Sequence, residues 1–365
     1  MQISQLLKIH KYKFFDQQVE LRSDHADTLT LMDVMFRRFT MIDNVGETLK
    51  YEVLTNVGKR AGILTKDYCY IVEQPTRLSS LAHGIILRNT LARIRSHLLF
   101  HAAALSYHGK GVILAADSGC GKTTLTLALV QQGFKFLSDE AAALGLNDGM
   151  LTPYPRSLLL RMGTLKLFQQ KGWELPSHQI ALKTDDRMAI YFSSALLGDK
   201  CQPHCLIIMQ QPDEADDRLC QVTLDCLPAR LWADLQPLVL PTPESLEKKR
   251  DFPVFKVKEA NVNKVYEICE QQGVLVLDVA ESAVVPGYYE NTPHLQEISK
   301  LTAAISLLQY FLGSYRSAIL QEDFQGSVAG LIQPLVNILA NVKCYQLTPG
   351  HLDQTVEIIN RLVSK

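Results

Sequence analysis

The stretch Gly109–Leu146, GKGVILAADSGCGKTTLTLALVQQGFKFLSDEAAALGL, decides how the rest of the chain is read. Val112–Ala116 is a short apolar run of the kind that makes a buried strand. It leads into Asp117-Ser118-Gly119-Cys120-Gly121-Lys122-Thr123-Thr124, and then into Leu125, Leu127, Ala128 and Leu129, which suit an amphipathic helix. Ala116–Thr123 fits the looser phosphate-loop form A-x-x-x-x-G-K-T in the strand–loop–helix context that gives it meaning. A second strand, Lys135–Leu137, ends on the acidic pair Asp139-Glu140.

The chemistry follows from the backbone. Gly119 and Gly121 lack Cβ, so successive N–H groups can turn inward around a phosphate. The following helix adds its positive N-terminal end. Lys122 is placed to reach phosphate oxygens and Thr123 to ligate magnesium. Asp117–Thr124 is therefore the expected nucleotide cradle. Cys120, at the variable loop position, reads as a tolerated small side chain.

Working outward, 365 residues with 47% hydrophobic content suffice for a large core. A net charge of −1 gives no electrostatic footprint for nucleic acid. No window approaches a membrane span, no secretory signal is evident, and the 8 scattered cysteines fit reduced thiols, so a cytoplasmic chain without a membrane partner is expected. Cys201 and Cys205, with His204 between them, lack the second half of a zinc site and are expected to be structural.

Residues 1–98 read as a β-rich segment with strands over Tyr12–Leu21, Lys50–Thr55 and Gly62–Glu73 and helices over Asp27–Thr40 and Leu78–Leu98. Arg88, Arg93 and Arg95 belong to a solvated face of that last helix. Leu99–Leu105 is expected to be a strand, and Ala142–Leu146 and Met150–Thr152 a hairpin about Asn147-Asp148-Gly149. A strand near Leu158–Arg161 and a short helix over Thr164–Lys171 come next. Further strands are expected at Met188–Phe192, Cys205–Met209 and Cys220–Leu224, with a helix at Pro228–Leu235. Pro241–Arg250 reads as an exposed connection before strand, helix and strand over Val254–Asp278. His294–Val342 carries two helical apolar stripes, and a strand (Lys343–Leu347) and a helix close the chain. The division is then 1–98, a core over 99–280, a helical insertion over 281–342, and closing elements of the core over 343–365.

The constellation His101, Asp117–Thr123, Gly133-Phe134 and Leu137–Glu140 resembles the kinase core of HPr kinase/phosphorylase and its relatives. His101 lies 21 residues before Lys122 and Asp139 lies 17 after it, spacings similar to that family's. The runs His101–Leu105, Ser118–Thr124, Leu137–Glu140 and Pro153–Arg156 are similar to the HPr-kinase-like serine kinases of modified-peptide clusters, including lasso-peptide clusters. The specific resemblance covers residues 100–165.

The resemblance implies an α/β fold, a P-loop kinase core of the HPr kinase/phosphoenolpyruvate carboxykinase type, here with an N-terminal β-rich segment and a C-terminal helical elaboration. It implies ATP and Mg2+ as cofactors and a serine of a peptide or protein as acceptor. His101 and the acidic pair would meet at the γ-phosphate. Asp139 or Glu140 would be the base that takes the acceptor's proton, Asp139 also or instead a magnesium ligand beside Thr123, and Glu140 stands where the family has a second aspartate. Arg161 is expected to stabilise the transferring phosphoryl group, with Arg156 open between that role and a surface one. Tyr154–Phe168 contains no Asp or Glu, a departure from the metal-holding glutamate of the bifunctional enzymes that puts phosphorylase chemistry in doubt. Two other readings stay open: a nucleotide-binding sensor without phosphotransfer, and a small-molecule kinase.

Overall fold

The computed structural model describes residues 7–41, 48–72, 75–117, 120–183, 187–210, 219–224, 226–239, 247–249, 252–258, 261–274, 276–282, 291–312, 317–324 and 326–364. It is an α/β protein. The front end is a five-stranded sheet of β1 (Lys8–Phe14), β2 (Gln17–Ser23), β3 (Leu49–Val57), β4 (Arg60–Leu64) and β5 (Cys69–Val72). Helices α1 (Ala26–Phe36) and α2 (Leu78–Arg93) pack on one face of it.

Two expected strands are hairpins here. Tyr12–Leu21 folds back at Phe15-Asp16, a turn with none of the Gly or Asn that normally announces one. Gly62–Glu73 is interrupted where Thr65 closes on Tyr68: Thr65 N–H donates to the Tyr68 carbonyl (2.8 Å) and Tyr68 N–H donates to Thr65 Oγ1 (2.9 Å). Helix α2 stops at Arg93, short of the expected Leu98, and Ile94 is already extended.

The centre holds β6 (His97–Phe100), β7 (Ala102–Tyr107), β8 (Lys110–Ala116), α3 (Lys122–Gln131), β9 (Lys135–Ser138), β10 (Ala142–Gly145) and β11 (Leu151–Thr152). The single strand expected over Leu99–Leu105 breaks at His101, and its halves join different sheets. β6 pairs with β10, whereas β7 pairs with β8 and β9. The chain continues through β12 (Leu158–Arg161), α4 (Met162–Gln170), β13 (His178–Lys183), β14 (Arg187–Phe192) and β15 (Gln202–Met209).

β15 lies parallel to β8 on one side and, on the other, to β21 (Lys343–Thr348), near the end of the chain. Val112–Ala116 and Cys205–Met209 are sealed on both faces, as the apolar runs of central parallel strands require. Burial pushes the thiols of Cys201 and Cys205 up to about 11 and about 12, so both sit as core residues, as expected.

Between β15 and the end lies a unit that the division into one core over 99–280 does not separate. It comprises β16 (Leu219–Leu224), α5 (Ala229–Leu235), β17 (Glu247–Lys249), β18 (Phe252–Lys258), α6 (Val262–Gln271) and β19 (Val276–Ser282). Their order is β17-β18-β16-β19, all antiparallel, which is the split βαβ arrangement with its own apolar core. Glu247–Lys249 is thus an edge strand rather than exposed connection; 241–246 and 250 lie outside the described residues.

The chain re-enters the central sheet at β20 (His294–Glu297) and runs through α7 (Lys300–Leu308), α8 (Ala318–Asp323) and α9 (Ile332–Ile338). These three helices bury their apolar stripes against one face of the central sheet. The closing helix α10 (Leu352–Ser364) covers the opposite face beside α3.

Candidate nucleotide site

The site begins where β8 runs out. Cys120 N–H reaches back to the Asp117 carbonyl (3.4 Å), and Gly121 turns the chain into α3 at φ 80°. An L side chain there would be strained, so glycine fits for a conformational reason. No side chain among the described residues caps α3, which leaves its first N–H groups available to an anion. Ser118 and Gly119 lie outside the described residues.

Lys122 opens the helix and is 8% exposed. Its Nζ is buried with no hydrogen-bond partner among the described residues. An ammonium without a partner is costly to bury, so this is a place that a bound anion would stabilise. Thr124 turns elsewhere, its hydroxyl meeting that of Thr164 (3.0 Å) and tying α3 to α4. Cys120 is 1% exposed.

Topology brings the histidine and the acids together. β7 pairs with β9 up to Ser138, and β6 pairs with β10 from Ala142. The residues between those pairings, His101 on one strand and Asp139–Ala141 on the other, therefore lie opposite each other at the sheet switch. Ser138 Oγ accepts the N–H groups of Glu140 (3.3 Å) and Ala141 (3.0 Å), which fixes the acidic turn.

The two acids differ. Asp139 is 6% exposed and its Oδ2 accepts the Thr123 hydroxyl (2.8 Å). Its Oδ1 is buried, and the Thr126 side chain adds a weaker stabilisation of the carboxylate. Burial first, and then the Glu140 charge, push its carboxyl up to about 6, against the pull of Lys122. Glu140 is open: its Oε2 stands 3.5 Å from His101 Nδ1, and the two side chains are 39% and 38% exposed. The Lys122 cation first, then burial, hold the imidazole down at about 4, with Arg156 adding to them. His101 is therefore neutral at pH 7, and its contact with Glu140 is not an ion pair.

Arg156 and Arg161 part company. Arg156 follows the Pro153-Tyr154-Pro155 loop, lies over the Phe36 ring (5.5 Å to its centre) and acts on His101, Tyr154 and His83 through its charge. Arg161 is exposed at the end of β12 and donates to the Val279 carbonyl of the split βαβ unit (3.3 Å). It is not among the charges that shift His101 or Asp139.

One participant carries no sequence signal. Tyr310, just past α7, accepts His101 N–H at its carbonyl (2.6 Å) and donates its hydroxyl to Asp117, a carboxyl whose pKa burial raises. In the sequence it is one more residue at the end of an apolar helical stripe. His97 bridges Ser96 and Thr152 and His108 sits in a turn, so neither joins the site.

For magnesium, Thr123 Oγ1 and Asp139 are the residues placed to serve, since such ions take one or two protein ligands and complete their shell with phosphate and water. The described residues contain no cluster of three or more His, Cys, Asp or Glu side chains fit to hold a metal by themselves.

Fold and site together define an α/β protein in which the end of β8 and the start of α3 face an acidic turn. No family model matches the chain, and no curated protein does. Solved structures similar to it include the Hpr(Ser) kinase/phosphatase from Coxiella burnetii, at 11% identity over 48% of this chain and 97% of that one, with a TM-score of 0.21. A likeness that slight leaves the functional reading to the residues themselves.

Proposed function

We propose that the chain is an ATP- and Mg2+-dependent kinase that phosphorylates a hydroxyl, most simply a serine of a peptide or protein. The observation that carries this reading is the buried, unpartnered Lys122 ammonium at the start of an uncapped helix, beside the Thr123–Asp139 hydrogen bond. ATP would supply the phosphoryl group, and magnesium would neutralise its charge. Lys122 and the α3 N–H groups hold phosphate oxygens, and Thr123 with Asp139 holds the metal. Glu140, on the open side, takes the proton of the acceptor hydroxyl at a carboxylate oxygen. Neutral His101 orients that carboxylate, and Arg156 adds positive charge nearby.

Single-turnover incubation with radiolabelled ATP and serine-containing peptides tests the reading. Transfer is expected, and stable ATP binding with no transfer to any peptide overturns it in favour of a nucleotide-binding sensor. One observation favours that second reading: Tyr310 ties the helical block after α7 to both Asp117 and His101, a route by which bound nucleotide would alter a docking surface.

A further inference from the structure

A cleft of about 360 Å³ lies between the front-end sheet and the Pro153–Pro155 loop. Its walls include Lys13, Phe15, Arg38, Phe39, Pro153 and Pro155, and among the described residues no carboxylate lines it. Its size is within the range of about 300–1,000 Å³ typical of ligand clefts. We propose that this cleft binds an acidic peptide segment, and so supplies the acceptor to the neighbouring phosphate loop. The docking claim concerns the cleft; its role in supplying the acceptor rests on the kinase reading above.

Four observations converge on it. The first is charge. Lys13 is exposed and pairs with no carboxylate among the described residues, while Arg38 is exposed and donates to the Phe192 carbonyl (2.5 Å), again with no carboxylate partner. Burial lowers the Arg38 pKa, with Arg37 adding to the effect, so a negative group in the cleft would relieve both. Two uncompensated cations over an apolar floor match a ligand that carries acids beside apolar side chains.

The second is a wall fixed in place. β1 is the outer strand of its sheet, and residues 39–41 lie antiparallel along it, with Tyr12 bridging Thr40 and Met41 N–H donating to the Lys11 carbonyl (3.0 Å). The Phe39–Met41 wall of the cleft is thus held by backbone pairing before any ligand arrives, which lowers the ordering cost of binding.

The third is strain. Phe15 holds φ 56°, a left-handed conformation that a bulky side chain adopts only under constraint. Asp16 pins the turn through Arg95 N–H (3.1 Å) and the Ser96 hydroxyl (2.9 Å). The Phe15 ring is thereby stacked on Tyr154 (5.6 Å) and set beside His97 (4.2 Å), where it forms cleft wall. Outliers of this kind gather at ligand sites.

The fourth is connection to the chemistry. Tyr154 packs its ring against Phe15 and Phe39 on the cleft side, while its hydroxyl end feels the charges of Arg156 and Glu140. The same short loop thus walls the cleft and delivers Arg156 beside His101.

An array of short random-sequence peptides, probed with the full-length protein without nucleotide, tests the proposal. Bound peptides are expected to be enriched in Asp and Glu, and capture should weaken as salt rises. Lys13→Glu should weaken capture of the acidic set about tenfold or more, a loss in the range measured for interfacial charge pairs. Lys13→Glu/Arg38→Glu should abolish the preference. ATP affinity should stay within about twofold of wild type in both, which also reports on folding. Since Lys13 bonds to no side chain among the described residues, its single variant keeps the test valid if the Arg38 change disturbs the fold. A bound set with no acidic enrichment, no capture at all, or enrichment that survives Lys13→Glu overturns the proposal. None of these results bears on phosphotransfer, so the kinase reading stands or falls separately.

Discussion

Thr123 and Asp139 make a closed floor to the candidate site, while His101 and Glu140 make an open rim 38–39% exposed. Each half pairs a carboxylate with a neutral hydrogen-bonding partner, yet their titrations move in opposite senses. On the floor, burial holds a proton on Asp139 up to about pH 6. At the rim, Lys122 keeps the proton off His101 down to about pH 4. One unpartnered ammonium acts on both, favouring the charged acid and disfavouring the charged imidazole. The difference teaches that environment sets the two apart: burial penalises the charge of Asp139, while the exposed His101 is kept neutral mainly by the Lys122 cation.

The largest effect is expected from removing the cation that joins the two halves. Lys122→Met should weaken ATP binding about 100-fold, the scale of losing a charge-assisted contact in a buried site. Calorimetric titration with ATP measures it. The same variant should raise the His101 pKa towards the ordinary histidine range, because the largest cause of its depression is gone. An unmoved imidazole in an NMR titration would break the account in which Lys122 commands both halves.

Asp139→Asn comes next and has two signs. Turnover should fall by about 10²–10³, the cost of losing one group that stabilises charge at the reacting centre, here a magnesium ligand. Stability of the nucleotide-free protein should rise, but only above the acid range. Below pH 3.8 folded and unfolded chains both hold the Asp139 proton. Between there and about pH 6 only the folded chain holds it, so raising pH favours unfolding, and above pH 6 the penalty is constant. Neutral asparagine avoids a penalty of up to about 3 kcal/mol. Urea titrations should therefore show the variant more stable at pH 8 and level with wild type near pH 4.

Much of this contrast is legible in the sequence, for physical reasons that also explain what is not. A glycine loop between an apolar run and a helix is local information, so spacing alone places β8, Gly121 and α3. The meeting of His101 with Asp139-Glu140 rests on resemblance; its cause, a strand that breaks to serve two sheets, is non-local. Arg156 sits in a proline loop before β12 and Arg161 ends that strand, and which of the two acts on His101 is set by tertiary placement rather than by their sequence neighbours. Tyr310 is invisible because its partner, Asp117, is 193 residues away. The split βαβ unit escapes because its hairpin strand β17 is short and charged, unlike the apolar strands beside it. The Phe15 turn escapes because its backbone is held by tertiary contacts rather than by a turn residue.

Glu140→Gln sharpens the contrast by touching the rim alone. If the floor binds nucleotide and the rim handles the acceptor proton, turnover should drop about 10–100-fold. ATP affinity should change little. A parallel loss of ATP affinity would mean that the rim carboxylate belongs to the nucleotide cradle and that the two halves are one.

The smallest effect should come from Tyr310→Phe, which removes one hydroxyl and keeps the ring. The carbonyl of residue 310 still accepts His101 N–H, so the rim backbone stays in place. What is lost is the donor to Asp117, a carboxyl that burial already pushes up and that Tyr310 pulls down. Its pKa should rise further, and stability at neutral pH should fall by about 1 kcal/mol, the net worth of one such bond. ATP binding should weaken a few-fold at most, because Asp117 precedes the loop rather than facing the phosphates. A larger loss of turnover than of ATP affinity would instead show that the segment after α7 couples the loop to the rim. Floor and rim would then be set by the helical block, and the sensor reading would gain from the same variant.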